Sequence, residues 1–378
     1  MLTYCMNVHP GETLGEQIDN VEKLASAVAD SFRASNSLPA SYEFGLGLRF
    51  GANAAAEFVS RPDARKRLQA ICERMHLAPF TMNAFPFGVF HGAQVKEEVY
   101  RPTWTDPARI KYSADAAMSL ALLAPRNITC GSVSTSPLTY KTFNEDIGVA
   151  IRNFIKALEK IQKIHETTGK RIILSIEPEP GCYPETTAET IDVVNRIKEE
   201  SDESLHPYVG VCLDTAHLAV EFENLAESVR RFMAAGIIIG KFQISAALEC
   251  NDNAAGREAL ARYVEKTYLH QTVRKMPDGE LQFFGDLPAA LATEAVDGAV
   301  LRSHFHVPIF EEGALPLRST SALLHDPDFA AAVRESGCKQ FEVETYTWNV
   351  WRECSGSADE VIPGIVRELD VAKKMMSL

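Results

Sequence analysis

At 378 residues, 46% of them hydrophobic and 24% charged, the chain has the composition of a globular protein with a large apolar core. Its formal charge of −13 argues against a dedicated nucleic-acid or anionic-membrane surface. No stretch approaches the roughly 18 apolar residues of a membrane helix, so no membrane segment is expected. The opening MLTYCMNVHPGE has neither the basic start nor the long apolar run of a signal peptide. The 8 cysteines are scattered without a CxxC pair. Both features suit a reducing cytoplasm.

Strand-like and helix-like segments alternate throughout, as the βαβ units of a parallel sheet require. Strand 1 is read over residues 2–8. The helix after it, over 14–28, carries Leu14, Ile18, Val21, Leu24, Ala25 and Val28 on one face. Strand 2 spans 42–50, and Asn53 is placed to cap a helix that Pro62 divides. The basic run from Arg61 to Arg67 reads as a solvated helix face. Strand 3, over 78–83, leads into a long loop to Pro107 that holds Asn83, Phe85, Phe87, Phe90, His91, Tyr100 and Trp104. That aromatic load suits a lid over a substrate.

A helix through Ala121 precedes strand 4 at 127–133, and a long amphipathic helix over 143–167 stops at Gly169. Strand 5 (171–176), a helix capped at Thr187, strand 6 (209–213) and strand 7 (237–244) follow. Strand 8 is 340–343, and a last helix covers 358–375. Eight strands and their helices make one (β/α)8 TIM barrel over 1–378, with a long insertion at 246–339 between strands 7 and 8. Inside the insertion, YLHQTVRK, then Pro277-Asp278-Gly279, then ELQFFGDL predicts a β-hairpin.

The chemistry-bearing residues gather at strand ends. Strand 5 ends Glu177-Pro178-Glu179-Pro180, with both carboxylates on one face by the period of two. Strand 6 gives Asp214 with His217 three residues on, strand 7 gives Gln243, and strand 8 gives Glu344. His304 and His306, spaced i, i+2 in an apolar run, share a face. In a parallel barrel such ends open on one mouth, where active sites lie. The pattern predicts metal ligation by Glu177, Asp214, Gln243, His306 and Glu344. His217, His304 and Glu179 are expected at the metal or the substrate. Mixed carboxylate, amide and imidazole donors suit Mn²⁺ or Zn²⁺ better than Ca²⁺. Asn83, Phe87, His91, Trp104 and Trp348 are expected to bind substrate.

These motifs resemble the xylose-isomerase-like TIM barrels, which include sugar isomerases, ketose 3-epimerases and endonuclease IV. IEPEP and LDTAH carry the resemblance most specifically, and Glu177, Asp214 with His217, Gln243 and Glu344 match the family's strand-end places in order. Gln243 departs from the histidine expected there, and His304 or His306 is expected to supply the missing nitrogen. More narrowly, IEPEPGCYPETT, CLDTAH, RSHFHVPIF and FEVETYTW resemble the metabolite-traffic proteins of bacterial Ebo gene clusters (EboE-like).

The resemblance implies a divalent-metal isomerase or epimerase acting on a sugar, polyol or related hydroxy-carbonyl metabolite, with Glu177 and Glu344 moving the proton. Two alternatives stand beside it. One is a metabolite-binding or traffic protein for a prenylated or aromatic compound; the other is an endonuclease IV-like phosphodiesterase. A small-molecule partner is expected, no nucleic acid, and an oligomer is compatible with the sequence.

Overall fold

The computed structural model describes residues 1–88, 96–348 and 357–376. Eight parallel strands form the central sheet: β1 (Leu2–Tyr4), β2 (Phe44–Arg49), β3 (Leu77–Ala84), β4 (Cys130–Thr135), β5 (Arg171–Ile176), β6 (Val209–Asp214), β7 (Ile238–Ile244) and β8 (Phe341–Val343). They follow one another in sequence order, and β8 returns to pair with β1. Between β1 and β2 a lone bridge from Cys5 to Gly47 all but closes the ring. This is the expected α/β barrel. Among the described residues no helix is long and apolar enough to cross a membrane.

Local chemistry explains most boundaries. Thr13 and Glu16 form a capping box at helix Leu14–Asn20. Asp146 caps helix Ile147–Thr168, which ends where Gly169 takes φ +70°. Helix Ala358–Met375 lies where expected, and Pro62 starts a new helix, Pro62–Arg74, after Ala52–Ser60.

Several boundaries differ from the sequence reading. Strand 1 is short because residues Met6–Val8 turn into a 3-10 helix. The first helix continues past residue 28 through a π turn, Val21–Ala25, into Ser26–Ser35. Strand 4 lies later, at Cys130–Thr135. Gly51, not Asn53, occupies the N-cap of Ala52–Ser60. Thr186, not Thr187, caps the helix after β5, because its hydroxyl reaches the Glu189 amide.

The barrel interior is unusually polar. Lys241 on β7 and Glu342 on β8 are fully buried and in direct contact. Below the mouth the Ser132 and Ser175 hydroxyls bond at 2.8 Å. Room for these groups comes from glycine. A Cβ on Gly47 would lie 2.0 Å from Glu342 Oε1, and one on Gly240 would lie 2.1 Å from Ser175 Oγ.

The insertion between β7 and β8 builds a second, antiparallel sheet. Its strands run in the spatial order Leu281–Phe284, Thr272–Lys275, Val300–Val307, Ala246–Asn251, Leu317–Ser319 and Gly313–Ala314. The expected hairpin is present, pairing Thr272 with Phe284 and Lys275 with Leu281. The segment after β3 leans on this sheet: the Lys96 amide donates to Thr267 O at 3.0 Å, and its ammonium meets Asp286 at 2.7 Å.

Removing one partner of a buried ion pair strands the other, at a cost of about 3–5 kcal/mol. Lys241→Met alone should therefore lower stability by about that amount in urea unfolding. Pairing it with Glu342→Leu should recover most of the loss. Equal destabilisation by the single and double variants would show that the pair is not the unit.

Candidate metal centre

The strand ends open on one cavity. Its lining includes Asn7, Asn83, Phe85, Lys96, Tyr100, Glu177, Glu179, His217, Tyr268, His304, His306, Glu344 and Tyr346. Glu177 and Glu179 arrive from the end of β5, Asp214 closes β6, and Glu344 follows β8. His217 stands on the short helix Thr215–Val220, whose first turn Asp214 caps through Oδ1. His304 and His306 come from strand Val300–Val307 of the insertion, which carries both imidazoles over the barrel mouth. Glu177, Glu179, Asp214, His217, His304, His306 and Glu344 are all buried.

Three groups each bring their ligand atoms within 4.8 Å of one another: His217, His304 and His306; Glu177, Asp214 and His217; Asp214, His306 and Glu344. Asp214, His217 and His306 each belong to two of the groups, so the whole is one cluster. The imidazoles meet through Nε2: His304 Nε2 lies 3.1 Å from His217 Nε2 and 3.1 Å from His306 Nε2. Four-coordinate zinc with Zn–N bonds of about 2.0–2.1 Å holds its nitrogens at closely similar spacing, roughly 3.3 Å.

The opposite ring nitrogens fix the tautomer of each neutral ring. His217 Nδ1 lies 2.7 Å from Pro178 O, and His306 Nδ1 lies 3.1 Å from Glu344 O. A carbonyl only accepts, so both Nδ1 atoms carry hydrogen. His304 Nδ1 lies 2.9 Å from Gln271 Oε1, and the Gln271 amide cannot be turned over, because its Nε2 donates to Pro180 O at 2.9 Å. His304 Nδ1 therefore donates as well. When neutral, each ring then points an Nε2 lone pair at the same spot, the arrangement in which outer partners orient metal-binding histidines.

The carboxylates add to the same demand. Among the described residues Glu177 Oε2, Asp214 Oδ2 and Glu179 Oε2 are buried with no hydrogen-bond partner. Burying an uncompensated carboxylate is costly unless a cation is present. Burial, together with neighbouring Glu344 and Asp214, pushes the Glu177 carboxyl well above its usual range. Burial would also raise Glu344, but His306, Gln243 and Lys241 bring it down to about 2. Burial and the other imidazoles push His304 well below the ordinary histidine value. For His306 burial acts downward, yet Asp214 and Glu344 raise it to about 9. A divalent cation fits this donor set.

Gln243 takes another position than the expected ligand. Its Nε2 donates to Glu177 Oε1 at 3.3 Å while its Oε1 faces Cys212 Sγ. The amide thus steadies a carboxylate, and the insertion's histidines supply nitrogen in its place. Asn83 lines the cavity and reaches Glu344 Oε1 at 3.4 Å.

Three residues expected at the substrate lie elsewhere. Trp104 is in the core, 4.7 Å from the Phe154 ring, with its indole N–H on Ser136 O. Trp348 packs against Gly364 and Phe310, and Phe87 against Tyr112. Large apolar rings at loop ends found more buried area between helices and strands than at a polar mouth. His91, with Phe90 and Trp351, lies outside the described residues. The aromatic wall consists instead of Phe85, Tyr100, Tyr268 and Tyr346. Asn7, which the sequence reading passed over inside strand 1, donates to Glu344 Oε1 at 2.5 Å. Its only signal in the sequence was its place near the end of the strand-1 run.

No known family's sequence profile matches the chain, and no curated protein matches it. Solved structures do. The IolI protein with a bound zinc atom superposes with TM-score 0.51 at 14% identity, over 100% of this chain and 99% of that one. A protein of Anabaena variabilis classed with the sugar phosphate isomerases/epimerases gives TM-score 0.53 at 13% identity, over 100% and 98% of the two chains. At these identities the likeness is one of fold.

Replacing His304 and His306 together by Ala should weaken Zn²⁺ binding at least about 100-fold, since losing an outer partner alone typically costs about 10- to 100-fold. Gln243→His should retain or tighten it. Unchanged metal content in the double variant would separate these histidines from the ion.

With His306 raised to about 9, the metal-free protein holds a proton there at neutral pH, and the ion must displace it. Zn²⁺ affinity should therefore rise as pH rises toward 9. Calorimetry at pH 7 in buffers of different ionisation enthalpy should show net proton release. No release would contradict the site.

Proposed function

We propose that this protein is a divalent-metal-dependent enzyme of isomerase or epimerase type that acts on a small hydroxy-carbonyl compound. The observation that carries this reading is the convergence of three Nε2 lone pairs with unpartnered carboxylate oxygens in one buried cavity. Ligands for the ion would be drawn from His217, His304, His306, Asp214, Glu177 and Glu344. Zn²⁺ suits a set so rich in imidazole, and the bound zinc named for the IolI protein is consistent with it. Such an ion would polarise a carbonyl oxygen as a Lewis acid.

The chain's own part is proton transfer and exclusion of water. Glu177 and Glu344 reach the cavity from β5 and β8, and their surroundings push their proton affinities apart. Before an ion binds, one carboxyl favours the acid form and the other the base, an asymmetry that acid–base catalysis at a carbon next to a carbonyl could use. The segment with Lys96 and Tyr100 roofs the cavity against the insertion. A roofed, buried site favours a small molecule over a phosphodiester backbone.

A second reading is supported by the cavity wall. Phe85, Pro86, Val99, Leu269, Tyr268 and Tyr346 offer apolar surface that suits an aromatic or prenylated metabolite, as the Ebo-cluster likeness implies. On that reading the protein binds rather than converts.

Solvent exchange separates the two. Metal-replete protein in D₂O should wash deuterium into the carbon next to the carbonyl of a ketose, followed by NMR. Glu344→Gln should slow exchange by about 100-fold or more, because an amide cannot take the proton. Silence across a panel of small ketoses by metal-replete protein would favour the binding reading.

A further inference from the structure

One carboxylate at the cavity remains outside the metal groups. Glu179 is buried and lines the cavity, yet it belongs to none of the three sets of converging ligand atoms. Its Oε1 accepts the Tyr100 hydroxyl at 2.8 Å, and its Oε2 has no partner among the described residues.

The direction of that hydrogen bond is fixed from behind. Gln271 Nε2 lies 2.7 Å from the Tyr100 oxygen and 2.9 Å from Pro180 O. An amide nitrogen can only donate, so the Tyr100 oxygen accepts from Gln271 and its own proton goes to Glu179. Gln271 is held in turn by His304 Nδ1 at 2.9 Å. The chain from His304 through Gln271 and Tyr100 therefore pins Glu179 Oε1 and leaves Oε2 as an acceptor.

A second unsatisfied acceptor lies at the same cavity. Asn7 spends its Nδ2 on Glu344, and its buried Oδ1 has no partner among the described residues. The one amine among the described lining residues, Lys96, is held by Asp286 at 2.7 Å and by Glu265 O at 3.2 Å. Beside the metal cluster, then, the described wall offers fixed acceptors and no uncommitted ammonium. Acceptors recognise hydroxyl donors and repel phosphate.

We propose that Glu179 Oε2 receives a hydroxyl of an uncharged polyol or ketose held at the metal centre, with Tyr100 and Gln271 as the residues that position it and Asn7 Oδ1 as a second acceptor. This rests on the metal-centre reading and names the ligand class for it. The contact is a hydrogen bond to a carboxylate, so losing it weakens ligand binding while leaving the ion in place.

The test uses full-length protein loaded with Mn²⁺, whose water-proton relaxation reports both the ion and any ligand beside it. The probes are D-fructose, L-erythrulose, erythritol and D-fructose 6-phosphate. Wild-type protein should bind at least one uncharged probe, and fructose more tightly than its phosphate. Glu179→Gln should weaken the best uncharged probe about tenfold, as expected for a hydrogen bond to a charged group. Tyr100→Phe should weaken it several-fold, and both variants should keep Mn²⁺ affinity within about twofold of wild type.

A tenfold loss of Mn²⁺ affinity in Glu179→Gln would make Glu179 a ligand and overturn the proposal. So would unchanged probe affinity in that variant, tighter binding of the phosphate, or no uncharged probe bound by Mn²⁺-loaded wild type. Failure of wild type to take up Mn²⁺ would overturn the metal-centre reading itself, and this proposal with it.

Discussion

Lone pairs and carboxylate oxygens crowded into one buried volume are the constraint on which this site depends. His304 Nε2 lies 3.1 Å from both His217 Nε2 and His306 Nε2, with Asp214, Glu177 and Glu344 around them. Without an ion these groups must take up protons to satisfy one another, which is why the proton affinities of Glu177 and His306 are raised. Their outer atoms are already committed to Pro178 O, Gln271 and Glu344 O. A cation resolves the repulsion, and the surrounding hydrogen bonds hold the donors ready for it at little reorganisation cost.

That constraint reaches down the barrel. Lys241 lies one layer below the mouth on the strand that carries Gln243, and Glu342 lies below Glu344 on β8. Their contact keeps Lys241 charged against the burial that would discharge it. Lys241 also lowers the proton affinities of Glu177 and Glu344. A positive charge under a negative mouth offsets part of the cost of gathering carboxylates there. Gly47 and Gly240 make room for this polar layer, so the small residues of the strands and the chemistry at their ends belong to one arrangement.

The insertion is part of the centre rather than an ornament on it. Its strand Val300–Val307 supplies two of the three imidazoles, and Gln271, next to the hairpin strand Thr272–Lys275, fixes the tautomer of one of them. Tyr100, from the segment after β3, joins the same hydrogen-bonded chain. Roof, insertion and barrel mouth are thereby tied through side chains whose other ends touch the cavity. This explains how a strand-7 end carrying glutamine can still belong to a nitrogen-rich site.

Much of this was legible in the sequence. Apolar β-branched runs ending in Glu177, Asp214, Gln243 and Glu344 fixed the strands and which ends bear ligands, because period and burial are local properties of the chain. The His304–His306 spacing marked a shared face, and the Pro277–Gly279 turn marked the hairpin. What the tertiary structure decided was which distant groups meet. Asn7 reaches Glu344 only because the chain turns after Tyr4, and Gln271 orients His304 only through antiparallel pairing across the insertion. Trp104 and Trp348 left the expected mouth for the core because burial area, summed over neighbours far apart in sequence, outweighs their place in a loop. Ligand type can be read from residues in order, but hydrogen-bond direction and the choice between wall and core depend on partners that only folding brings together.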